Sequence, residues 1–241
     1  LLALPAALLA GLVLEVRVFR HLYAHDHLSQ VLATFGVILF LNQGVKLVWG
    51  AAPLQAPIPA ILEGGIEIMP GLQYPLYRVA VLGAGIATAA GLWWLVERTR
   101  AGMLVRAGAS NAPMVSALGV DINRLFTMVF AFGAMLAGFA GVLAAPIFSV
   151  EPGMGDNVLI LAFVVIVIGG IGSIRGAFLA ALLVGLIDTL GKSLMPDLMR
   201  LFLDASQARQ TGAALASMLV YVAMAAILAF RSAGLFPVRA G

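Results

Sequence analysis

Four groups of polar side chains in this sequence have types and spacings that could do chemistry. His21, His25 and His27 flank Asp26 in HLYAHDHL, a donor set of the kind that holds a transition metal. No second cluster accompanies them, so the expectation is a polar membrane edge and no metal ligands. Gln30, Thr34, Asn42, Gln43 and Lys46 fall within one apolar run. Four-residue steps drift by about 40° on a 3.6-residue helix, so they make a slanting stripe. Polar groups inside a membrane face a bundle interior or a watery path, which makes Thr34, Asn42 and Gln43 candidates for a translocation path. Lys46 is near enough to the end of its run to snorkel to the interface instead. Asp188 and Lys192 are spaced for an i,i+4 ion pair. Arg98, Arg100, Arg106 and Arg124 lie in a polar island, Glu97 to Arg124, between two long apolar runs.

Several chemistries are excluded. The chain has no cysteine, which removes disulfides and thiolate catalysis. It has no HExxH, no Ser/His or paired-Asp constellation and no GxxxxGK[ST] phosphate loop. No catalytic, cofactor-binding or metal-binding residues are therefore assigned, and any ATP hydrolysis must come from a partner. The net charge of +3 reads as loop arginines setting topology, with no nucleic acid as partner.

The elements that position these groups are membrane helices. Of 241 residues, 62% are hydrophobic and only 10% charged, against about 25% charged in a soluble domain. Uninterrupted apolar runs point to an all-α polytopic transmembrane bundle, because barrel strands would alternate polar and apolar residues. Six spans are expected, near 28–49, 75–96, 125–150, 158–169, 177–190 and 211–230. The opening run, LLALPAALLAGLVL, is too short to cross a hydrocarbon core that needs about 20 residues. It also lacks the marks of a signal peptide, so spans before it are expected to be missing. The domain expected is one transmembrane unit over 1–241.

GGIGSIRG, Gly169 to Gly176, breaks one long apolar stretch. Glycine allows a tight reversal, and a single kinked helix would bury Arg175, so a hairpin at a membrane surface is expected. If the island is cytoplasmic, alternation puts the 15–27 loop, this turn and the tail after Arg231 on the same side. Nine of the fourteen basic residues then lie inside, the expected bias. Glu63, Glu67, Glu151 and Asp156 fall outside, as receptor contacts or solvated loop.

Within the island, Ser110 or Asn111 is a candidate N-cap, Pro113 suits the first turn and Gly119 suits C′. The short helix between them, Ala112 to Leu118, carries Met114, Val115 and Leu118 as a small apolar face. Two readings stay open from spacing: docking in a groove on a cytoplasmic partner, or resting on lipid.

VRAGASNAPMVSALGVDINR, FAFGAMLAGFAGVLAAPIFSVEPGMGDN and IGGIGSIRGAFLAALLVGLID resemble, in order and wording, the permease subunits of branched-chain amino-acid ABC importers. The resemblance covers essentially the whole chain. It implies that 97–124 is the cytoplasmic loop coupling the permease to ATP-binding subunits, with the contacting helix in 107–119: Ala107, Asn111, Pro113, Met114, Val115, Leu118 and Gly119. It also implies a second permease subunit, homologous or identical, a periplasmic substrate-binding protein and a bacterial inner membrane. Two alternatives remain: a permease of this kind for a sugar, urea or short amide, and a stand-alone secondary transporter or channel. The second would be expected to show paired intramembrane charges or an inverted repeat.

Overall fold

A computed structural model describes residues 2–22, 26–69, 72–170, 173–231 and 234–236. Its helices are α1 (Ala3–Leu14), continued by a π-helical turn (Glu15–Phe19) and α2 (Arg20–Leu22), then α3 (His27–Trp49) and α4 (Leu76–Arg98). After these come α5 (Arg100–Ser110), α6 (Ala112–Ala117), α7 (Ile122–Ala144), α8 (Met154–Gly169), α9 (Ile174–Met199) and α10 (Ala205–Phe230). The fold is nearly all-α, as expected. Helices satisfy their own backbone groups, which lipid cannot do. Five of the described helices are long and apolar enough to cross a membrane: Leu28–Trp49, Leu76–Arg98, Ile122–Ala144, Arg175–Met199 and Ser206–Phe230. Met154–Gly169 is a shorter apolar helix.

Three differences from the sequence expectations have identifiable causes. The 15–27 segment is not all loop, because the helix runs on to Leu22. Glu15 is buried there, and Arg20 Nη2 donates to Thr127 Oγ1 of α7 at 3.0 Å. The fifth span does not stop at Leu190. It continues through Pro196 to Met199, and Gly212 leaves room for the proline, since a Cβ there would lie 2.6 Å from its ring nitrogen. An antiparallel hairpin, β1 (Gly65–Met69) with β2 (Leu72–Pro75), adds strand to a fold expected to be all-α.

The chain divides into two compact units, Leu1–Met154 and Gly155–Gly241. In the first, α1 runs antiparallel to α7. Ala7 meets Gly138, Gly11 meets Ala134, and the rings of Phe19 and Phe130 lie 5.0 Å apart. Small residues let the backbones approach where lipid offers no hydrophobic drive between helices. This pairing puts Leu22 and the start of α7 at one end of the unit. At the opposite end Tyr77 Oη donates to the Leu143 carbonyl at 2.9 Å, and Leu54 exchanges backbone hydrogen bonds with Val150. Leu22 and the island therefore share an end, as the alternation of spans requires.

In the second unit Val164 and Ile168 of α8 share a core with Ala180 and Val184 of α9 and Val220 of α10. A single kinked helix would hold Val164 and Val184 about 30 Å apart along its axis. Instead the chain reverses: a Cβ on Gly169 would lie 2.6 Å from the Ala177 nitrogen. Gly170 (φ 96°) supplies the left-handed conformation after α8, and the Ser173 side chain caps α9 by accepting from the Gly176 N–H at 3.0 Å. Ile171 and Gly172 of the expected turn lie outside the described residues. Arg175 is exposed on the first turn of α9. Beyond α10, the Leu235 N–H donates to the Ile168 carbonyl at 2.8 Å, so the tail returns to the same end as the turn.

Candidate functional site

The island is built from its helix ends. Thr99 is extended between α4 and α5, and its hydroxyl accepts from the Gly102 N–H at 3.1 Å. A side chain on Gly102 would run into the Val96 backbone, so α5 folds tightly back on the last turn of α4. Arg106 Nη1 fastens that fold by donating to the Val96 carbonyl and pairing with Glu97 at 3.9 Å. At the other end of α5, Gly108 is buried facing Leu125, 3.3 Å from where its Cβ would stand. The helix thus bridges the end of one candidate span and the start of the next.

Asn111 breaks the helix and starts another. Its Oδ1 accepts from the Met114 N–H at 3.0 Å, and Pro113 sits in the first turn. The segment 107–119 is therefore divided between two helices, and the short helix expected at Ala112 to Leu118 is α6. Ala107 lies on α5, half-buried, and its carbonyl accepts from the Asn111 N–H; Pro113 to Val115 lie on α6. The end of α6 carries both hydrogen bonds of a Schellman motif: Val120 N–H to the Val115 carbonyl at 3.4 Å, and Gly119 N–H to Ser116 at 2.9 Å. Gly119 has φ 88°, the conformation glycine tolerates best.

The expected apolar face is divided. Val115 is buried in the helix that packs on α5 and α7, because it lies one residue, about 100°, from Met114. Met114 and Leu118, four residues apart, are 63% and 76% exposed. One side of α6 is anchored in the protein and the other presents two large apolar side chains to its surroundings. Asp121 caps α7 by accepting from the Arg124 N–H and pairs with the Arg124 side chain at 2.9 Å.

The path candidates are not gathered into a site. Over its membrane-length window α3 has no buried residue. Thr34 and Gln43 are exposed, and Asn42 is half-buried. The Thr34 hydroxyl is returned to the Gln30 carbonyl at 2.7 Å, an i−4 bond that hides its polarity. At the head of α3 the Ser29 hydroxyl holds the Asp26 carboxyl below its ordinary value, with the Ser29 N–H adding to the effect. His25 lies outside the described residues. Lys192 pairs with Asp188 at 2.7 Å, as the spacing required. The hairpin at 65–75 is absent from the sequence expectations; its signals are the alternation of Ile66, Glu67 and Ile68 and the Pro70–Gly71 dipeptide.

The model of the branched-chain amino acid transport system / permease component family matches residues 1–228, and the chain belongs to that family. It is 31% identical over 192 residues to the high-affinity branched-chain amino acid transport system permease protein BraD of Pseudomonas aeruginosa, covering 78% of this chain and 62% of that one. It is 27% identical over 196 residues to LivH of Escherichia coli K12, of the same description, covering 76% and 60%. It is also 32% identical over 170 residues to the autoinducer 2 import system permease protein LsrC of Klebsiella pneumoniae, covering 66% and 46%. The chain spans about three fifths of the length of the first two relatives. No solved structure matches.

Proposed function

We propose that this chain is the membrane-spanning part of an ATP-driven importer for branched-chain or related amino acids in a bacterial inner membrane, a transport subunit without catalysis of its own. The observation that carries this reading is the division of α6. Val115 is rooted in the protein, while Met114 and Leu118 stand out from a helix capped at both ends. That is the arrangement helix-in-groove docking needs. A cytoplasmic ATP-binding subunit gripping Met114 and Leu118 pulls on α5, which packs on the ends of both α4 and α7. Closure of two such subunits around ATP would turn the spans between inward- and outward-open states. A second permease subunit completes the path, and a periplasmic binding protein delivers substrate at the end carrying the 50–75 segment.

The relative named for autoinducer 2 import favours a second reading, in which the same device carries another small solute. The ligand held by the cognate extracytoplasmic receptor separates the two.

Docking is tested with Leu118→Asp and Gly119→Val. The first puts a carboxylate in an apolar groove, where desolvation costs several kcal/mol and lowers affinity by at least about a hundredfold. The second puts a β-branched residue at a positive φ and unwinds the cap. Both variants are expected to insert and purify normally yet lose the ATPase subunit and ATP-driven uptake. Transport at the unmodified rate by both would overturn the proposal.

A further inference from the structure

A laterally open groove of about 300 Å³ lies between α1, α4 and α7 of the first unit, walled by Leu4, Leu92, Leu95, Phe132 and Phe139. Its polar wall residue, Thr88, already donates its hydroxyl to the Ala84 carbonyl at 2.7 Å. A zwitterionic amino acid entering here would leave its charges without partners, so the groove is no part of a solute path. A narrow apolar chain meets no such cost.

The face of α4 that lines the groove continues, one turn past Leu95, to Arg98 at the end of the span. Arg98 and Arg100 are exposed and have no ion pair among the described residues. The island's other two arginines are neutralised locally, Arg106 by Glu97 and Arg124 by Asp121. The uncompensated charge thus stands at the headgroup level, directly beyond an acyl-sized groove. We propose that the groove holds one acyl chain of an anionic phospholipid whose phosphate rests against Arg98. The chain would run from Arg98 along α4, past Leu95 and Gly91 toward Thr88, about 15 Å. Such a lipid would bind at the membrane end of the segment that docks the ATPase, and would wedge α4 against α7 there.

The test uses the full chain in phosphatidylcholine bilayers doped with acyl-chain spin-labelled phosphatidylglycerol or phosphatidylcholine, reading the motionally restricted fraction. The unmodified protein should restrict phosphatidylglycerol at least about threefold more than phosphatidylcholine. Arg98→Gln should abolish that preference, and Arg124→Gln, a paired arginine of the same island, should leave it. Gly91→Leu favours the helix and adds bulk where a Cβ meets nothing within 4 Å. It should lower the restricted fraction for both lipids. The proposal is overturned by no headgroup preference, by equal losses from Arg98→Gln and Arg124→Gln (a diffuse basic surface), or by no change with Gly91→Leu.

Discussion

The α1/α7 and α9/α10 pairs both bring antiparallel helices together through small residues, but they are finished differently. In α1/α7, Ala7–Gly138 and Gly11–Ala134 contacts give way toward the island to polar and aromatic ones, Arg20 to Thr127 and Phe19 to Phe130. Among the described residues the α9/α10 contact is apolar, with Gly191 against Ala216 and Val184 sharing a core with Val220, and glycine-on-backbone packing of Gly212 on Pro196 closes its end. The difference follows charge. A helix that carries Glu15, Arg17 and Arg20 at its membrane edge needs hydrogen-bond partners on its neighbour, because unpaired polar groups there are costly. On α9 Asp188 pairs with Lys192 and Asp197 with Arg200, charges met by neighbours three or four residues along the chain, so the contact with α10 can rely on dispersion and close approach.

Three substitutions break or sharpen that comparison. The largest effect is expected at the reversal feeding α9. Gly169→Val drives a side chain into the Gly176–Ala177 backbone, which cannot yield as a side-chain tip can. A loss of about 3 kcal/mol or more is expected in reversible unfolding in bicelles; a loss below about 1 kcal/mol would show that the close approach is dispensable. Thr127→Val keeps the shape of the α1/α7 seam and removes the acceptor for Arg20. Arg20 is exposed enough for water to replace the bond, so the expected loss is about 1 kcal/mol. No loss in the same assay would mean that small-residue packing alone holds this pair. The smallest effect is expected from Gly191→Ala. Its new methyl would sit 3.1 Å from a Leu219 methyl that can rotate away, and alanine favours the helix. Net change should stay under about 1 kcal/mol in either direction. A large loss would place backbone rigidity, rather than side-chain freedom, at the α9/α10 contact.

The long spans are legible in the sequence because hydropathy and the lipid's intolerance of bare backbone act on each segment by itself. The ends of α6 are legible for a similar reason: Asn111, Pro113 and Gly119 act through hydrogen bonds and φ values within a few residues. Legibility fails wherever a distant residue changes the balance. Helix continues past Glu15 because α7 supplies Thr127, and past Pro196 because α10 supplies Gly212. No local signal carries either partner. Val115 falls on the expected docking face because spacing alone does not tell which side of a short helix the rest of the protein covers. The polar stripe on α3 exists as a pattern, but Thr34 spends its hydroxyl on its own helix.

The π-helical turn at Glu15–Phe19 has a consequence for how α1 is timed against α7. From Gly11 to Arg20 is nine residues, which on an uninterrupted α-helix is about two and a half turns. Arg20 would then point away from the helix that Gly11 touches. The wider turn absorbs extra residues within the same rotation and resets the phase, so that the apolar half of the helix and its charged half both address α7. The two halves are thereby released from a common angular register. The residues before Glu15 are tuned to close packing along the seam, and those after Phe19 are tuned to the hydrogen bond with Thr127.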